Sequence, residues 1–255
     1  MGFDMDEGIL SLISELEESK RGCERLLGDP MSVDLGKASV IRSIESSLAI
    51  EGNTLGLRAV QDVMEGRDIE GPFDEVVEVR NAVRAYGDIG RWDTWSLDDL
   101  LDAFDTMMFG LVEEPGFRRC DVGVFGGDSL VYRAPPHEDV PTMVGGLLGW
   151  GRNSELPVPV IGAIVHYCME TIHPFVDGNG RMGRLWNTKI NMGSDPLYAF
   201  VPMELYIRRR RSEYYRVLEE CQSSGEHDCV PFVGFCLECL IEGFDVLSDR
   251  VSSLL

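Results

Sequence analysis

Apolar residues recur every three or four positions along most of this chain, the spacing of helices with one face turned inward. Ile9, Leu10, Ile13 and Leu16 mark a first helical region that runs to about residue 42, with a break at Gly28-Asp29-Pro30. Residues 43–70 hold two more helices, the first ending at Glu51 or Gly52, since glycine is a natural C-terminal stop. Glu65 to Pro72 reads as a linker, and helices over about 73–90 and 97–112 follow it. The pattern then changes. Val122, Val124, Leu130 and Tyr132 alternate with other residues around Gly126-Gly127-Asp128, which predicts a hairpin over about 120–133 that Pro135-Pro136 ends. Helical spacing returns from Val140 to Trp150. It becomes dense from Val160 to Ile172, where Ile161, Ile164, Val165 and Met169 predict a mostly buried helix. After a short loop it resumes over Arg181–Asn191, with Leu185, Ile190 and Met192 as apolar positions. Ile207–Leu218 reads as one helix, and Pro231-Phe-Val-Gly-Phe235 opens a last one. The predicted fold class is all-α with one short β-hairpin.

Charge narrows the partners. The 255 residues carry 44 acidic and 23 basic side chains, a net charge of −21. Lys20, Lys37 and Lys189 are the only lysines, so the basic groups are almost all arginine. A field of this sign repels nucleic acid, and an anionic small molecule must be captured by local guanidiniums against it. The arginines at 208–211 read as a solvated helix face rather than a nucleic-acid stripe. No apolar run approaches the ~18 residues of a membrane span. The acidic start, Met1 to Asp6, is unlike a secretory leader, and Asp6 does not fit a myristoylation signal. Seven scattered cysteines suit a reducing compartment, so a cytoplasmic location is expected. Cys236 and Cys239 lack a second pair at zinc spacing and read as small residues in a packed helix. The only Gly-Lys, Gly36-Lys37, is not part of a Walker loop.

The chemistry concentrates in His173-Pro-Phe-Val-Asp-Gly-Asn-Gly-Arg-Met-Gly-Arg184. Pro174 cannot continue the preceding helix and disfavours helical geometry at His173, so the imidazole is presented where helix becomes loop. Gly178 and Gly180 allow close backbone approach of a ligand. The next helix starts at about Asn179 to Arg181, and its free N–H groups make an anion site. Arg181 and Arg184, three apart, project from one side of it. Cations at a helix start cost roughly 0.3–1 kcal/mol each, which a bound polyanion would offset. Asp177 beside them suits magnesium, which binds through one or two carboxylates plus phosphates.

Every specified position of this segment matches the signature His-x-Phe-x-Asp/Glu-Gly-Asn-Gly-Arg-x-x-Arg, so the chain resembles the Fic family. The resemblance implies a mostly helical Fic fold that transfers adenosine monophosphate from ATP to a protein hydroxyl. It implies that His173 is the general base for a Ser, Thr or Tyr of the target. Asp177 would coordinate Mg2+, while Asn179 and the N–H groups of the loop, between Gly178 and Gly180, would cradle the α-phosphate. Arg181 would hold the β-phosphate and Arg184 the γ-phosphate. The hairpin corresponds to the family's flap, which would hold a protein target by main-chain pairing. Many relatives carry a His in the helix before the flap, where this chain has Phe104, Asp105 and Thr106. The adenine pocket varies in the family; Tyr206, Tyr214 and Asn187 are the candidates here.

Ser47-Leu-Ala-Ile-Glu51-Gly-Asn-Thr-Leu lies far upstream, with Ser47 and Glu51 on one helix face. It resembles the inhibitory helix of regulated Fic proteins, Ser/Thr-x-x-x-Glu-Gly/Asn, placed before the core. The resemblance implies that Glu51 pairs with Arg184 and blocks seating of the γ-phosphate. A carboxylate and a phosphate compete for the same guanidinium geometry.

The expected organisation is an N-terminal helical region, 1–90, carrying the inhibitory helix at about 43–52. A catalytic core, 91–200, would hold the hairpin and the motif 173–184, and C-terminal helices, 201–255, would pack on it. The expected function is an auto-inhibited protein AMP transferase, acting on a target and on itself. The same site also suits Glu51-dependent removal of AMP, or transfer of another phosphate-containing group. A non-catalytic interaction module or toxin–antitoxin component is the third reading, against which the intact His173 and Asp177 weigh. The sequence leaves open a homodimer.

Overall fold

The structure, a computed structural model, describes residues 3, 5–26, 32–126, 129–223 and 228–253. Eleven α-helices and one hairpin make up the described residues: α1 Glu7–Arg21, α2 Ser32–Ile50, α3 Leu57–Met64, α4 Phe73–Gly87, α5 Leu97–Met107, β1 Gly123–Gly126, β2 Ser129–Arg133, α6 Val140–Asn153, α7 Val158–Ile172, α8 Asn179–Ser194, α9 Met203–Arg209, α10 Arg211–Ser223 and α11 Val230–Ser253. The Gly28-Asp29-Pro30 break and the Gly127-Asp128 turn lie outside the described residues.

The dense apolar pattern of α7 has the expected result. Every residue from Pro159 to Met169 is buried, because α8 lies along one side of the helix and α6 and α11 pack against it too. A helix covered all round must be apolar all round. α1 starts on Asp6, whose carboxylate accepts from the Ile9 N–H at 2.8 Å, and packs Ile9 and Leu16 against α11. One buried hydrophobic cluster takes residues from α1 through α11.

Polar groups fix where α2 sits in that core. Glu204 of α9 is fully buried and accepts from the hydroxyls of Ser43 (2.7 Å), Tyr86 (2.8 Å) and Thr188 (2.9 Å). Buried carboxylates need such partners, and these three tie α2, α4 and α8 to α9. Glu45, two residues past Ser43, takes Arg208 of α9 on both oxygens, at 2.5 and 2.6 Å. The helix that ends at Glu51 is thereby fastened at its middle.

Several element boundaries differ from the sequence reading. The segment over 43–52 is not a separate helix: α2 is continuous for 19 residues from Ser32, because Leu35 and Val40 already pack on the core. The helix read over 97–112 stops at Met107, and the chain turns at Gly110, φ 74°. The hairpin is antiparallel with Val124 opposite Tyr132, but a register shift after Val124 puts Phe125 opposite Leu130. Ile207–Leu218 breaks at Arg210 into α9 and α10. Arg208, Arg209 and Arg211 are exposed, as a solvated face requires, and three of the four arginines also make ion pairs: Arg208 to Glu45, Arg209 to Glu242, and Arg210 to both Glu213 and Glu238.

Candidate active site

The loop between α7 and α8 is set by backbone geometry at both ends. His173 closes α7 in the left-handed conformation, φ 50° and ψ 59°, the one non-glycine residue with positive φ among the described residues. Such a conformation costs of order 1–3 kcal/mol and persists only when its surroundings enforce it. Arg118 does the enforcing. Its side chain is buried, with Nε donating to the His173 carbonyl at 2.8 Å and Nη1 to that of Cys120 at 2.8 Å. Nη2 donates to the carbonyls of Pro135 and Ile172, and the Arg118 N–H to that of Pro174. Cys120 and Pro135 are the two roots of the hairpin, so one guanidinium fixes the hairpin and the imidazole together. Nothing in the sequence separates Arg118 from its exposed neighbour Arg119.

At the other end Gly178, φ 83°, precedes α8 and supplies no side-chain cap, which leaves the first-turn N–H groups facing the loop. A side chain there would also meet Met108 Sδ at 2.5 Å. The Asn179 side chain bonds within the loop itself. It accepts from the Phe175 N–H and donates to the Phe175 carbonyl, both at 2.9 Å, so it braces the loop while a second amide hydrogen and the backbone N–H are still there to offer. Phe175 stacks on Phe104, centroids 3.8 Å apart, which is what the substituted position before the hairpin does in this chain.

Both arginines of the motif are held by carboxylates. Arg184 is fully buried and donates from Nε to Ser47 Oγ at 3.0 Å, and from Nη2 to the Ser47 carbonyl at 3.1 Å and Glu51 Oε1 at 2.6 Å. Burial works against its charge, but Glu51, Tyr214 and Glu170 outweigh that and hold it firmly protonated. Gly180 makes room for this: a Cβ there would come within 2.5 Å of Glu51 Oε1 and 2.9 Å of Arg184 Nη1. Arg181 is equally enclosed, with Nη1 on Glu78 of α4 at 2.8 Å and Nη2 on Asp177 at 2.9 Å. Arg181 Nε and Arg184 Nη1 are buried with no hydrogen-bond partner among the described residues. An unfilled buried N–H costs about 1–3 kcal/mol and points to a ligand that completes it.

Glu78 went unnoticed in the sequence, where it is one of many acidic residues on α4. Its other oxygen accepts from Asn53, two residues past Glu51, at 2.7 Å, so it joins the end of α2 to Arg181. Behind Arg184 lies a buried network: Tyr214 donates to Glu170 at 2.9 Å, and His166 Nε2 lies 3.1 Å from the same hydroxyl. Burial alone would raise the Glu170 carboxyl, but His166, Arg184 and Tyr214 outweigh it and hold the group below the usual range. Tyr206, Tyr214 and Asn187 are 2%, 1% and 1% exposed and pack in the core. The aromatic facing outward on α10 is Tyr215, 43% exposed, with Arg211 5.6 Å over its ring. Its phenol is pushed up by burial of the hydroxyl and by Glu51.

Asp177 is exposed, accepts from the Gly178 N–H at 2.6 Å, and stands apart from other metal ligands: no group of three or more His, Cys, Asp or Glu among the described residues could hold an ion. One carboxylate fits magnesium arriving with phosphates, not a resident metal. Cys236 and Cys239 are buried in α11, where burial raises both thiols. No described helix is long and apolar enough to cross a membrane.

Comparison with known proteins agrees with this geometry. The Fic/DOC family profile matches residues 94–190. The chain is 30% identical over 231 residues to the protein adenylyltransferase Fic of Culex quinquefasciatus, covering 86% of this chain and 43% of the relative. The corresponding protein of Aedes aegypti is 29% identical over 230 residues, 86% of this chain and 44% of that one. The chain thus spans less than half the length of these curated relatives. A Fic domain containing signaling protein from Bacteroides thetaiotaomicron shares the fold, with TM-score 0.74 at 18% identity over 94% of this chain and 97% of that one. A crystal structure of a Fic family protein from Desulfovibrio desulfuricans superposes with TM-score 0.90 and 40% identity, covering 98% of this chain and 76% of that one. With that likeness along nearly its whole length and every signature residue present across the α7–α8 loop and the start of α8, the chain belongs to the Fic family.

Proposed function

We propose that this protein transfers AMP from ATP to a hydroxyl of a target protein, and that the structure is its restrained state. The observation that carries the reading is the pairing of both motif arginines with carboxylates that a triphosphate can replace. Arg184 with Glu51 and Arg181 with Glu78 each keep a buried N–H unfilled. The name of the insect relatives, protein adenylyltransferase Fic, supports the reaction class.

The chain's own groups then take these parts. His173 Nδ1 lies 3.4 Å from the Glu170 carbonyl, which can only accept, so the proton sits on Nδ1 and Nε2 is left as a base. The target hydroxyl attacks the α-phosphorus and gives its proton to Nε2. The bond from that phosphorus to the bridging oxygen breaks, and pyrophosphate leaves. The open N–H groups at the start of α8 bind the α-phosphate oxygens as charge gathers there. Arg181 and Arg184 receive the β- and γ-phosphates once Glu78 and Glu51 release them. Asp177 would hold magnesium, which when bound draws charge off the phosphates. Tyr215, outward-facing and near Arg184, gives the adenine a surface to stack on. Among the described residues the sheet has two strands, which leaves an outer edge for a target segment, and Arg118 keeps that edge in register with His173.

Incubation with labelled ATP and magnesium tests the reading on wild type, Glu51→Gly and His173→Ala. Label should be weak in wild type, strong in Glu51→Gly and absent from Glu51→Gly/His173→Ala. Label that survives loss of His173 rules out its role as base. Mass spectrometry of the product separates AMP from other phosphate-containing groups, and pre-modified target reports Glu51-dependent removal.

A further inference from the structure

The turn that ends α2 does more than present Glu51. Gly52, φ 101°, closes the helix, and the N–H groups of Gly52 and Asn53 return to the carbonyls of Ala49 at 3.2 Å and Leu48 at 3.1 Å. That is the bonding of a Schellman end, so the Asn53 backbone helps to fix the place from which Glu51 reaches Arg184. The Asn53 side chain is buried and turns the other way, toward α4. Its Oδ1 accepts from the Leu55 N–H at 2.9 Å, and Nδ2 donates to the Glu75 carbonyl at 3.1 Å and to Glu78 Oε2 at 2.7 Å. Thr54 adds its N–H and hydroxyl to the Glu75 carboxylate, at 2.6 and 2.7 Å.

Residue 53 therefore touches both restraints at once. The amide is held by Leu55 and by the Glu75 carbonyl, so its bond to Glu78 has a fixed direction. Glu78 is a flexible side chain. With Oε2 pinned on Asn53, its other oxygen is kept on Arg181 Nη1 at 2.8 Å. Glu51 and Asn53 stand two residues apart in one hydrogen-bonded turn, so the end of α2 cannot shift without carrying both.

We propose that Asn53 is a positioning residue that ties the Arg181 seat to α2, so that one displacement of the helix end frees both motif arginines. A helix end that moves far enough to take Glu51 off Arg184 also withdraws the amide from Glu78. That carboxylate then regains its rotamer freedom, which favours its release from Arg181. The helix end thus governs the binding of nucleoside diphosphates as well as triphosphates. This deepens the function proposed above and rests on its assignment of Arg181 to the β-phosphate and Arg184 to the γ-phosphate.

Three substitutions in the full chain separate the parts. Asn53→Ser keeps an acceptor for the Leu55 N–H but is too short to reach Glu78. Gly52→Val leaves both side chains in place and acts through the backbone alone: nothing lies within 4 Å of where its Cβ would stand, but the left-handed φ is strained for it. Glu51→Gly removes only the partner of Arg184. Titration calorimetry with ATP, ADP and AMP, each with magnesium, reads the result. Asn53→Ser should bind ADP about threefold to tenfold tighter than wild type, with AMP changed by less than about twofold. Gly52→Val should tighten both ADP and ATP by at least about threefold. Gly52→Ala, with the same backbone strain and a smaller side chain, carries the same expectation if the valine variant does not fold. Unchanged ADP affinity in Asn53→Ser, or an equal gain for AMP, overturns the role of Asn53, since a merely loosened fold would move both ligands alike. Unchanged ADP affinity in the Gly52 variant overturns the shared release. Failure of the proposed function shows elsewhere, as ATP binding no tighter in Glu51→Gly than in wild type.

Discussion

The two ends of the α7–α8 loop are held by different kinds of partner. At the His173 end, Arg118 bonds carbonyls of His173, Cys120, Pro135 and Ile172, and Asn179 bonds the backbone of Phe175. At the arginine end, Arg181 and Arg184 bond the carboxylates of Glu78, Asp177 and Glu51, with the Ser47 hydroxyl and carbonyl as further partners of Arg184. A buried carbonyl belongs to the fold, and no phosphate can take its place. A carboxylate offers a guanidinium what a phosphate also offers. The first end is therefore built to stay, and the second to be exchanged.

The sharpest way to break this contrast is at Arg118. Arg118→Ala removes four side-chain hydrogen bonds and leaves buried carbonyls unsatisfied, at about 1–3 kcal/mol each. A net loss of about 3–5 kcal/mol should lower the unfolding midpoint by on the order of 10 °C. Transfer of label from ATP should be lost as well, even in a Glu51→Gly background, because the left-handed turn at His173 relaxes. A midpoint within a degree of wild type would show that His173 is held by something else.

Glu51→Gly comes next, and it acts in the opposite direction on activity. Removing one charge-assisted hydrogen bond of about 1.5–3 kcal/mol from the competitor should improve apparent ATP affinity by roughly tenfold to a hundredfold. Without nucleotide the variant should also unfold at a lower temperature, since Arg184 loses its carboxylate while remaining buried. ATP with magnesium should recover that loss and stabilise the variant more than the wild type. Equal stabilisation of both proteins would mean that Glu51 does not compete with the nucleotide.

Glu78 offers a smaller test of the same exchange. Glu78→Gln keeps a hydrogen-bonding oxygen for Arg181 but removes the charge that a β-phosphate must displace. The apparent KM for ATP should fall by about threefold to tenfold, with kcat little changed. An unchanged KM would assign Glu78 to joining Asn53 and α4, with no part in nucleotide binding.

These residues also show what the sequence could disclose. His173, Asp177, Gly178, Asn179, Gly180, Arg181 and Arg184 are close together in the chain, and their residue types state their chemistry. Glu51 was legible because its helix end has a recognisable pattern. The all-α class with a hairpin was legible because helical and alternating periods differ clearly. Arg118 and Glu78 were not, because their partners lie 55 and 103 positions away and nothing local distinguishes them from neighbouring arginines and glutamates. Periodicity also failed at Arg210, where the helix breaks although no glycine or proline marks the place. There Arg210 pairs with Glu213 and Glu238, neither of which the local pattern singles out. The bonds of the Asn179 side chain to Phe175 were not legible either: an amide in a glycine-rich loop can serve a ligand or the loop itself, and the residue type alone does not show which.

The weakest expected effect concerns the network behind Arg184, which belongs to the lasting half of the contrast although it touches the exchangeable one. His166 is fully buried among Tyr214, Glu170, Asn187 and Arg184, and burial lowers its pKa from 6.5 despite the raising influence of Glu170. In the unfolded chain the same imidazole titrates near 6.5. The unfolded state therefore binds more protons between the lowered folded value and 6.5, and stability rises with pH across that interval. The contribution is complete above about pH 6.5 and is lost as pH falls from there toward the folded value. Glu170, held below the ordinary carboxylate range, contributes above about pH 4.5 and loses its part only at lower pH, so the two windows are separable. Unfolding midpoints should decline from pH 7 to pH 5 in the wild type, and the decline should be shallower in His166→Gln. If instead both proteins show the same slope, the imidazole is not buried neutral, and the network that backs Arg184 is charged in the resting protein.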